Sequence, residues 1–217
     1  MKFTVVWFAL AAAFQGGAPA VEPGFTSLFN GTDLSGWKVS GAPESFTVRD
    51  GAIIASGPAS HLYYDGSFKN HTFRNFELKI DVMSRAGSNG GVYVLTEFEE
   101  IGGSERASGR FPSKGFEVQV YNADGGPRTG SLYHVVDILD QSPAKDDEWF
   151  KINIKVEGKR IITKVNDKVI SDYTEEESPK REGQFKGRLI SSGTFALQGH
   201  DPGSEVHFKN IRVKPLP

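Results

Sequence analysis

Cysteine is absent from the 217-residue chain, which removes both a disulfide framework and a lipobox thiol open to acylation. An excess of basic residues is lacking too. The 25 Lys and Arg stand against 27 Asp and Glu, a formal net charge of −2, so there is no basic footprint for nucleic acid. No apolar run is long enough to cross a bilayer as a helix. Beyond the first residues no segment keeps a helical period of apolar side chains, which argues against a helical bundle. Internal repeats and interdomain linkers are not visible. HxH, HExxH and carboxylate-loop motifs are missing as well, so spacing names no metal ligands.

What is present begins with a leader. MKFTVVWFALAAAFQGGAPA places Lys2 before an apolar run and ends in Ala18-Pro19-Ala20, the layout of a secretory signal with an A-x-A cleavage site. Residues 1–20 are therefore expected to be removed before Val21, leaving 21–217 as one exported domain, periplasmic or extracellular. Its 25 Gly, 11 Pro and 12% aromatic residues suit short strands and tight turns. Alternating segments recur from residue 45 to residue 213. Asp50-Gly51, Gly158 and Asn166-Asp167 mark turns between them. The pattern predicts an all-β fold, a two-sheet antiparallel β-sandwich or jelly roll, with Phe76, Leu78, Ile80, Val118, Ile152, Ile154, Leu197 and Phe208 in its core. Residues 131–138 read as one of the strands. The charged run from Thr174 to Gly183 reads as a solvated loop, and the long polar loop 101–114, with Glu105, Arg106 and Arg110, as a lid or binding loop.

One strand raises a question. In GFEVQVYNADGG, Phe116, Val118 and Val120 alternate with Glu117, Gln119 and Tyr121, so a carboxylate, an amide and a phenol share one face. On a solvated sheet they would meet water; on a concave sheet they would floor a sugar-sized groove.

Short motifs in order resemble one family. They are SLFNGTDLSGW (Ser27 to Trp37), VRDGAI, NFELKIDV, SNGGVYV, GFEVQV, GSLYHV, EWFKINIKVEG, FALQGH and VHFKNIRVKPL. Together they resemble the 3-keto-disaccharide hydrolase family. The resemblance implies a concanavalin A-like jelly roll with a carbohydrate site on its concave sheet. It also implies activity on sugars already oxidised at C3 by a separate dehydrogenase. The matching polar residues are Asn89, Glu117, Gln119, Tyr133, Trp149, Gln198 and His200. Three departures stand out: Leu95 where an Arg is usual, Lys164-Val165-Asn166-Asp167 where W-L-N-G is frequent, and Trp149-Phe150 for Trp-Asn. Arg85, Arg110 and Arg188 are the candidates to replace the missing cation.

The chemistry implied has defined needs. A C3 ketone acidifies the C2 proton, and the glycosidic oxygen on C1 lies β to it. The site then needs a base near C2, donors or a cation for the enolate oxygen, and an acid for the leaving oxygen. Glu117 suits the base or a ligand of a divalent ion; Gln119 and Gln198 suit hydrogen bonds to sugar oxygens. His200 shares the parity of Gln198 and titrates near neutrality when unperturbed. Tyr133, and His134 if a bulge turns it, join the substrate-binding candidates with Asn89 and Trp149. Tyr93 is a further stacking candidate, while His61, His71 and His207 fall in turn or edge contexts and receive no role. A divalent cofactor between Glu117 and His200 is left open, with no metal named. A conventional double displacement needs two facing carboxyl groups. The laminarinase pattern E-x-D-x-x-E reads here Glu117, Gln119 and Asn122, so that pair is lacking. A non-catalytic carbohydrate-binding module on the same fold is the alternative.

Overall fold

Unbroken alternation makes the central strands. Along β6 (Phe76–Ser84) every second side chain is buried, and β9 (Phe150–Glu157) repeats the pattern, because successive residues of a strand point to opposite faces. The structure, a computed structural model, describes residues 22–100, 111–140 and 142–217. The leader, the cleavage point before Val21, and Glu105, Arg106 and Arg110 lie outside the described residues.

The other strands are β1 (Thr26–Ser27), β2 (Trp37–Ser40), β3 (Phe46–Arg49), β4 (Ala52–Ser56), β5 (Ser60–Tyr64), β7 (Asn89–Thr96) and β8 (Phe116–Tyr121). After β9 come β10 (Arg160–Val165), β11 (Lys168–Thr174), β12 (Thr194–Gly199) and β13 (Glu205–Pro215). Among the described residues they form two antiparallel sheets. The larger runs β11-β10-β9-β6-β13-β4-β3, with β1 beside β13; the smaller runs β2-β5-β12-β7-β8. Among the described residues only short 3-10 turns interrupt the strands, and the jelly-roll sandwich is as expected.

Hairpin chemistry fixes the edges. Asp50 and Gly51 have φ of 53° and 73°, and Asn166 and Asp167 have 47° and 66°, the left-handed pair that a two-residue hairpin turn needs. All eight expected core residues lie between the sheets. Each such side chain contributes roughly 1.5–3 kcal/mol of burial.

Two features differ from the sequence reading. β2 and β5 were not expected as strands. β5 (SHLYY) is buried at every position, so it carries no period of two to detect. The expected strand 131–138 is mostly a turn. Gly130 and Tyr133 donate backbone bonds to Gln119 and Glu117, and the Gln119 N–H donates to Ser131, so this stretch covers the edge of β8. The chain then doubles back, with the Val135 and Val136 N–H groups both donating to Leu132.

Candidate functional site

The row on β8 faces away from the core, since Phe116, Val118 and Val120 pack into it. Pairing of β7 on β8 sets Asn89 opposite Tyr121, Gly91 opposite Gln119 and Tyr93 opposite Glu117. β12 brings Gln198 opposite Gly91, and β5 brings His61 opposite Gln198. His200 follows where β12 runs out. Glu117, Gln119, Gln198 and His61 are only 2%, 4%, 1% and 1% exposed. A merely solvated face is thereby excluded; this is a covered polar floor.

Two hydrogen-bonded chains cross the floor. In the first, Glu117 Oε2 accepts from the Tyr93 phenol at 2.7 Å and from Arg188 at 3.2 Å, and Gln198 Nε2 donates to the same phenol at 3.4 Å. Arg188 reaches in from the loop before β12, its guanidinium 5.4 Å above the Tyr93 ring and 5.6 Å above Phe185. The ion pair is almost fully buried, each side chain 3% exposed. Gly91 makes room for it, because a Cβ there would stand 2.8 Å from Glu117 Oε1.

In the second chain, Gln119 Nε2 donates to Asn89 Oδ1 at 3.1 Å, and Asn89 Nδ2 lies 3.2 Å from His200 Nε2. His200 Nδ1 meets Asp201 Oδ2 at 2.5 Å. Asp201 is itself held by the Gly203 N–H at 2.8 Å and the Ser204 hydroxyl at 3.1 Å. The tautomer follows from these partners. An ionised Asp201 requires the imidazole proton on Nδ1, and the Asn89 amide, whose oxygen serves Gln119, turns its NH2 to Nε2. With Nδ1 bound to Asp201, Nε2 faces the floor, where it accepts from the Asn89 amide.

Burial and partners tune the charges. Burial pushes the Glu117 carboxyl up, with Arg188 and the Tyr93 hydrogen bond opposing it. The Tyr93 phenol is pushed far up by burial and then by the Glu117 charge. Burial also raises Tyr133, with Glu117 next. For Asp201, burial works upward, but the bonds from His200, Gly203 and Ser204 outweigh it and hold the carboxyl below its usual range. Burial drives His61 down to about 3, with the His200 charge second. His61 is therefore neutral at any ordinary pH.

Of the expected site residues, Asn89, Glu117, Gln119, Gln198 and His200 meet on this floor. Tyr133 sits at its rim, its N–H bonded to the Glu117 carbonyl at 3.0 Å and its ring 6.2 Å from Phe185. His134 adopts φ 58° in the turn that replaces the expected strand, and stacks on Phe185 at 4.1 Å. It is exposed at the rim, where its N–H donates to Asp137 Oδ1 at 2.9 Å. Trp149 is not brought here. It lies beyond the other sheet, 41% exposed, with Lys209 3.8 Å above its ring. The reason is parity: Val206 and Phe208 fill the core, so their neighbours His207 and Lys209 carry Trp149 on the sandwich's opposite outer face.

Of the three cations named for the missing Arg, Arg188 stands at the floor. Arg85 pairs with Asp147 and Glu205 at 2.8 and 3.3 Å, and Arg110 lies outside the described residues. Sequence reasoning missed His61 and Asp201. The first sits on an undetected strand, whereas the second was signalled by its place directly after His200. Glu117 and His200 form no shared ligand set. Among the described residues no group of three or more His, Cys, Asp or Glu is placed to hold a metal ion, and the Glu117 carboxylate is already matched by Arg188 and Tyr93.

The sequence profile of the 3-keto-alpha-glucoside-1,2-lyase-like domain matches residues 24–214. The chain belongs to this family. A 3-keto-disaccharide hydrolase from Bacteroides thetaiotaomicron is 25% identical over 236 aligned positions, which cover 91% of this chain and 80% of that protein. A candidate glycosyl hydrolase from Parabacteroides distasonis superposes with a TM-score of 0.72 at 22% identity, over 89% of this chain and 94% of that one. The carbohydrate-binding module CBM66 from Bacillus subtilis follows with a TM-score of 0.57 at 13% identity, over 82% and 95%. The fold is thus the concanavalin A-like one, and the family's span includes the whole floor from His61 to Asp201.

Proposed function

We propose that the chain is an exported carbohydrate-active enzyme that cleaves 3-keto-glycosides or 3-keto-disaccharides by elimination and rehydration. His200, oriented by Asp201, takes the C2 proton once the sugar displaces the Asn89 amide from its Nε2. The electrons of that C–H bond form the C2=C3 enolate, whose oxygen carries the charge. Re-forming the C3 ketone creates a C1=C2 double bond and expels the C1 oxygen, which takes a proton as the aglycone alcohol. Water then adds to C1 and a proton returns to C2, giving net hydrolysis. Arg188 and Tyr133, grouped around Glu117, present donors to the sugar at the other end of the row. The ketone itself is made elsewhere, by a separate dehydrogenase.

The observation that carries this reading is the pairing of one imidazole, pre-oriented by a carboxylate, with one buried cation. Two facing carboxyl groups, the requirement of a double displacement, are not what the floor offers. Asn122, the third position of the laminarinase pattern, bonds away to Ser84 and Asp146. The family relationship supports the substrate class.

The test is turnover of a C3-oxidised disaccharide against the same disaccharide unoxidised. Only the oxidised one should be cleaved, with deuterium entering at C2 in D2O. Cleavage of the unoxidised sugar alone would overturn the proposal. Retention of sugars without turnover of either would favour the binding-module reading, which the fold shared with CBM66 supports.

A further inference from the structure

Two buried side chains of the floor have no part in the chemistry above. His61 on β5 and Gln198 on β12 are cross-strand partners. Both point out of the smaller sheet because their neighbours Leu62 and Leu197 fill the core. Each is 1% exposed. Neither ring nitrogen of His61, nor Gln198 Oε1, has a hydrogen-bond partner among the described residues. The His61 ring stands edge-on to Tyr93, centroids 5.2 Å apart, so it adjoins the phenol that binds Glu117. Buried polar atoms without partners are rare and each weakens the fold. Three of them side by side ask for a ligand.

Their inventory says which one. A neutral imidazole offers one N–H donor and one acceptor, and an amide oxygen accepts only. The complementary group must supply an oxygen that accepts and a hydroxyl that donates, close together. A ketone flanked by a hydroxyl-bearing carbon has both.

We propose that His61 and Gln198 recognise the α-hydroxy-ketone of the substrate: His61 donates its N–H to the C3 oxygen, and Gln198 Oε1 accepts from the hydroxyl on C4. This rests on the 3-keto-glycoside reading given above. C4 is the flanking carbon that does not react, so its hydroxyl persists through the elimination. The C3 oxygen gains charge as the enolate forms, and the His61 N–H then stabilises that charge without transferring a proton.

Substitution and a trimmed substrate test the assignment together. His61→Phe should lower kcat/KM on a 3-keto-glucoside by about 10²–10³, mainly in kcat, the usual loss for one donor to a developing oxyanion. Gln198→Leu should weaken wild-type turnover about tenfold through KM, as for one neutral hydrogen bond. On the 4-deoxy-3-keto-glucoside the wild type should fall by the same factor, while Gln198→Leu should not respond to the missing hydroxyl. His61→Phe should melt at or above the wild-type temperature, because it removes two unpartnered buried nitrogens, whereas Gln198→Leu, which removes one unpartnered oxygen together with the 3.4 Å bond to Tyr93, should melt close to it. Should His61→Phe fail to fold, the Gln198→Leu and 4-deoxy pair still decides the matter. Wild-type turnover together with undiminished His61→Phe turnover overturns this assignment alone. So does a Gln198→Leu variant that discriminates the deoxy sugar as the wild type does. No turnover by the wild type overturns the assignment and the proposed function together.

Discussion

Replacing Arg188 by Met tests the most buried charge of the floor. Methionine keeps an apolar stem against Tyr93 and Phe185 but removes the guanidinium that lies 3.2 Å from Glu117. Both partners are 3% exposed, so the abandoned carboxylate cannot turn to water. Breaking a buried pair from one side costs about 3–5 kcal/mol. For a domain of this size that is a fall in Tm of roughly 6–20 °C. The sign of the pH dependence follows from the carboxyl. Burial already raises Glu117, and losing Arg188, which opposes that shift, raises it further. A carboxyl raised in the folded state contributes stability below its unfolded pKa and loses it as pH rises through the folded value. The deficit of Arg188→Met should therefore be largest near pH 8 and shrink towards pH 5, by at most about 1.4 kcal/mol per pH unit. Urea unfolding at both pH values measures it. The double variant Glu117→Gln/Arg188→Met should recover most of the loss, since neutral replacements for a buried pair are often tolerated. A deficit under about 1 kcal/mol at pH 8, well below the 3–5 expected for a broken buried pair, would refute the reasoning. Strict additivity in the double variant would do the same.

Four other outcomes are expected. His200→Ala should lower turnover of a 3-keto-glucoside by on the order of 10²–10⁴, Asp201→Asn should follow it because it releases the tautomer, and Glu117→Gln, which moves no proton, should lose less than either; steady-state kinetics decide. Gly91→Ala places a Cβ 2.8 Å from Glu117 Oε1 and should destabilise by about 1–3 kcal/mol, read by chemical denaturation; an unchanged midpoint would mean the carboxylate moves aside freely. Burial holds His61 near a pKa of about 3, so the folded protein refuses a proton that the unfolded chain takes below about pH 6.5. Stability should thus fall from that pH downwards with a slope that His61→Phe lacks, and the His61 ring resonance should not titrate between pH 5 and 8. Export predicts a mature N-terminus at Val21, and N-terminal sequencing of secreted protein that still begins at Met1 would remove it.

Much of the fold was legible because one face of most strands is polar. β6 and β9 alternate cleanly, and Asp50-Gly51 and Asn166-Asp167 have the chemistry of the turns they make. β5 was illegible for the opposite reason: SHLYY is buried on both faces, one side by the core and the other by the floor's own cover. His61 was lost with it. The floor itself was half legible. Parity alone placed Glu117 with Gln119 and Gln198 with His200, since each pair lies two residues apart. Arg188 was one of three candidates, because a loop residue carries no periodicity and only the fold shows where it reaches. Trp149 misled because a large aromatic beside an alternating strand does not reveal on which outer face of the sandwich it will lie.

The arrangement of the floor bears on the type of bond cleavage. β5, β12, β7 and β8 are adjacent, so their outward residues span about 14 Å at ~4.8 Å per strand, room for one sugar and the start of the next. Within that span the floor is divided. Asn89, Gln119 and His200 make one hydrogen-bonded group, Tyr93, Glu117 and Arg188 the other, and the two are joined along β8 by Glu117 and Gln119, two residues or about 7 Å apart. An elimination acts on neighbouring carbons, with proton loss at C2 and bond breaking at C1, and needs a base and stabilising donors on one side of the ring. A single sheet face supplies that arrangement. A double displacement instead needs an acid and a nucleophile across the bond, about 5–5.5 Å apart. Among the described residues, the carboxylate at the centre, Glu117, is tied to a cation, and the next, Asp201, is spent on His200. This arrangement suits the proton abstraction proposed above, in which a supporting residue acts by holding a proton or a charge in place rather than by bonding to the sugar.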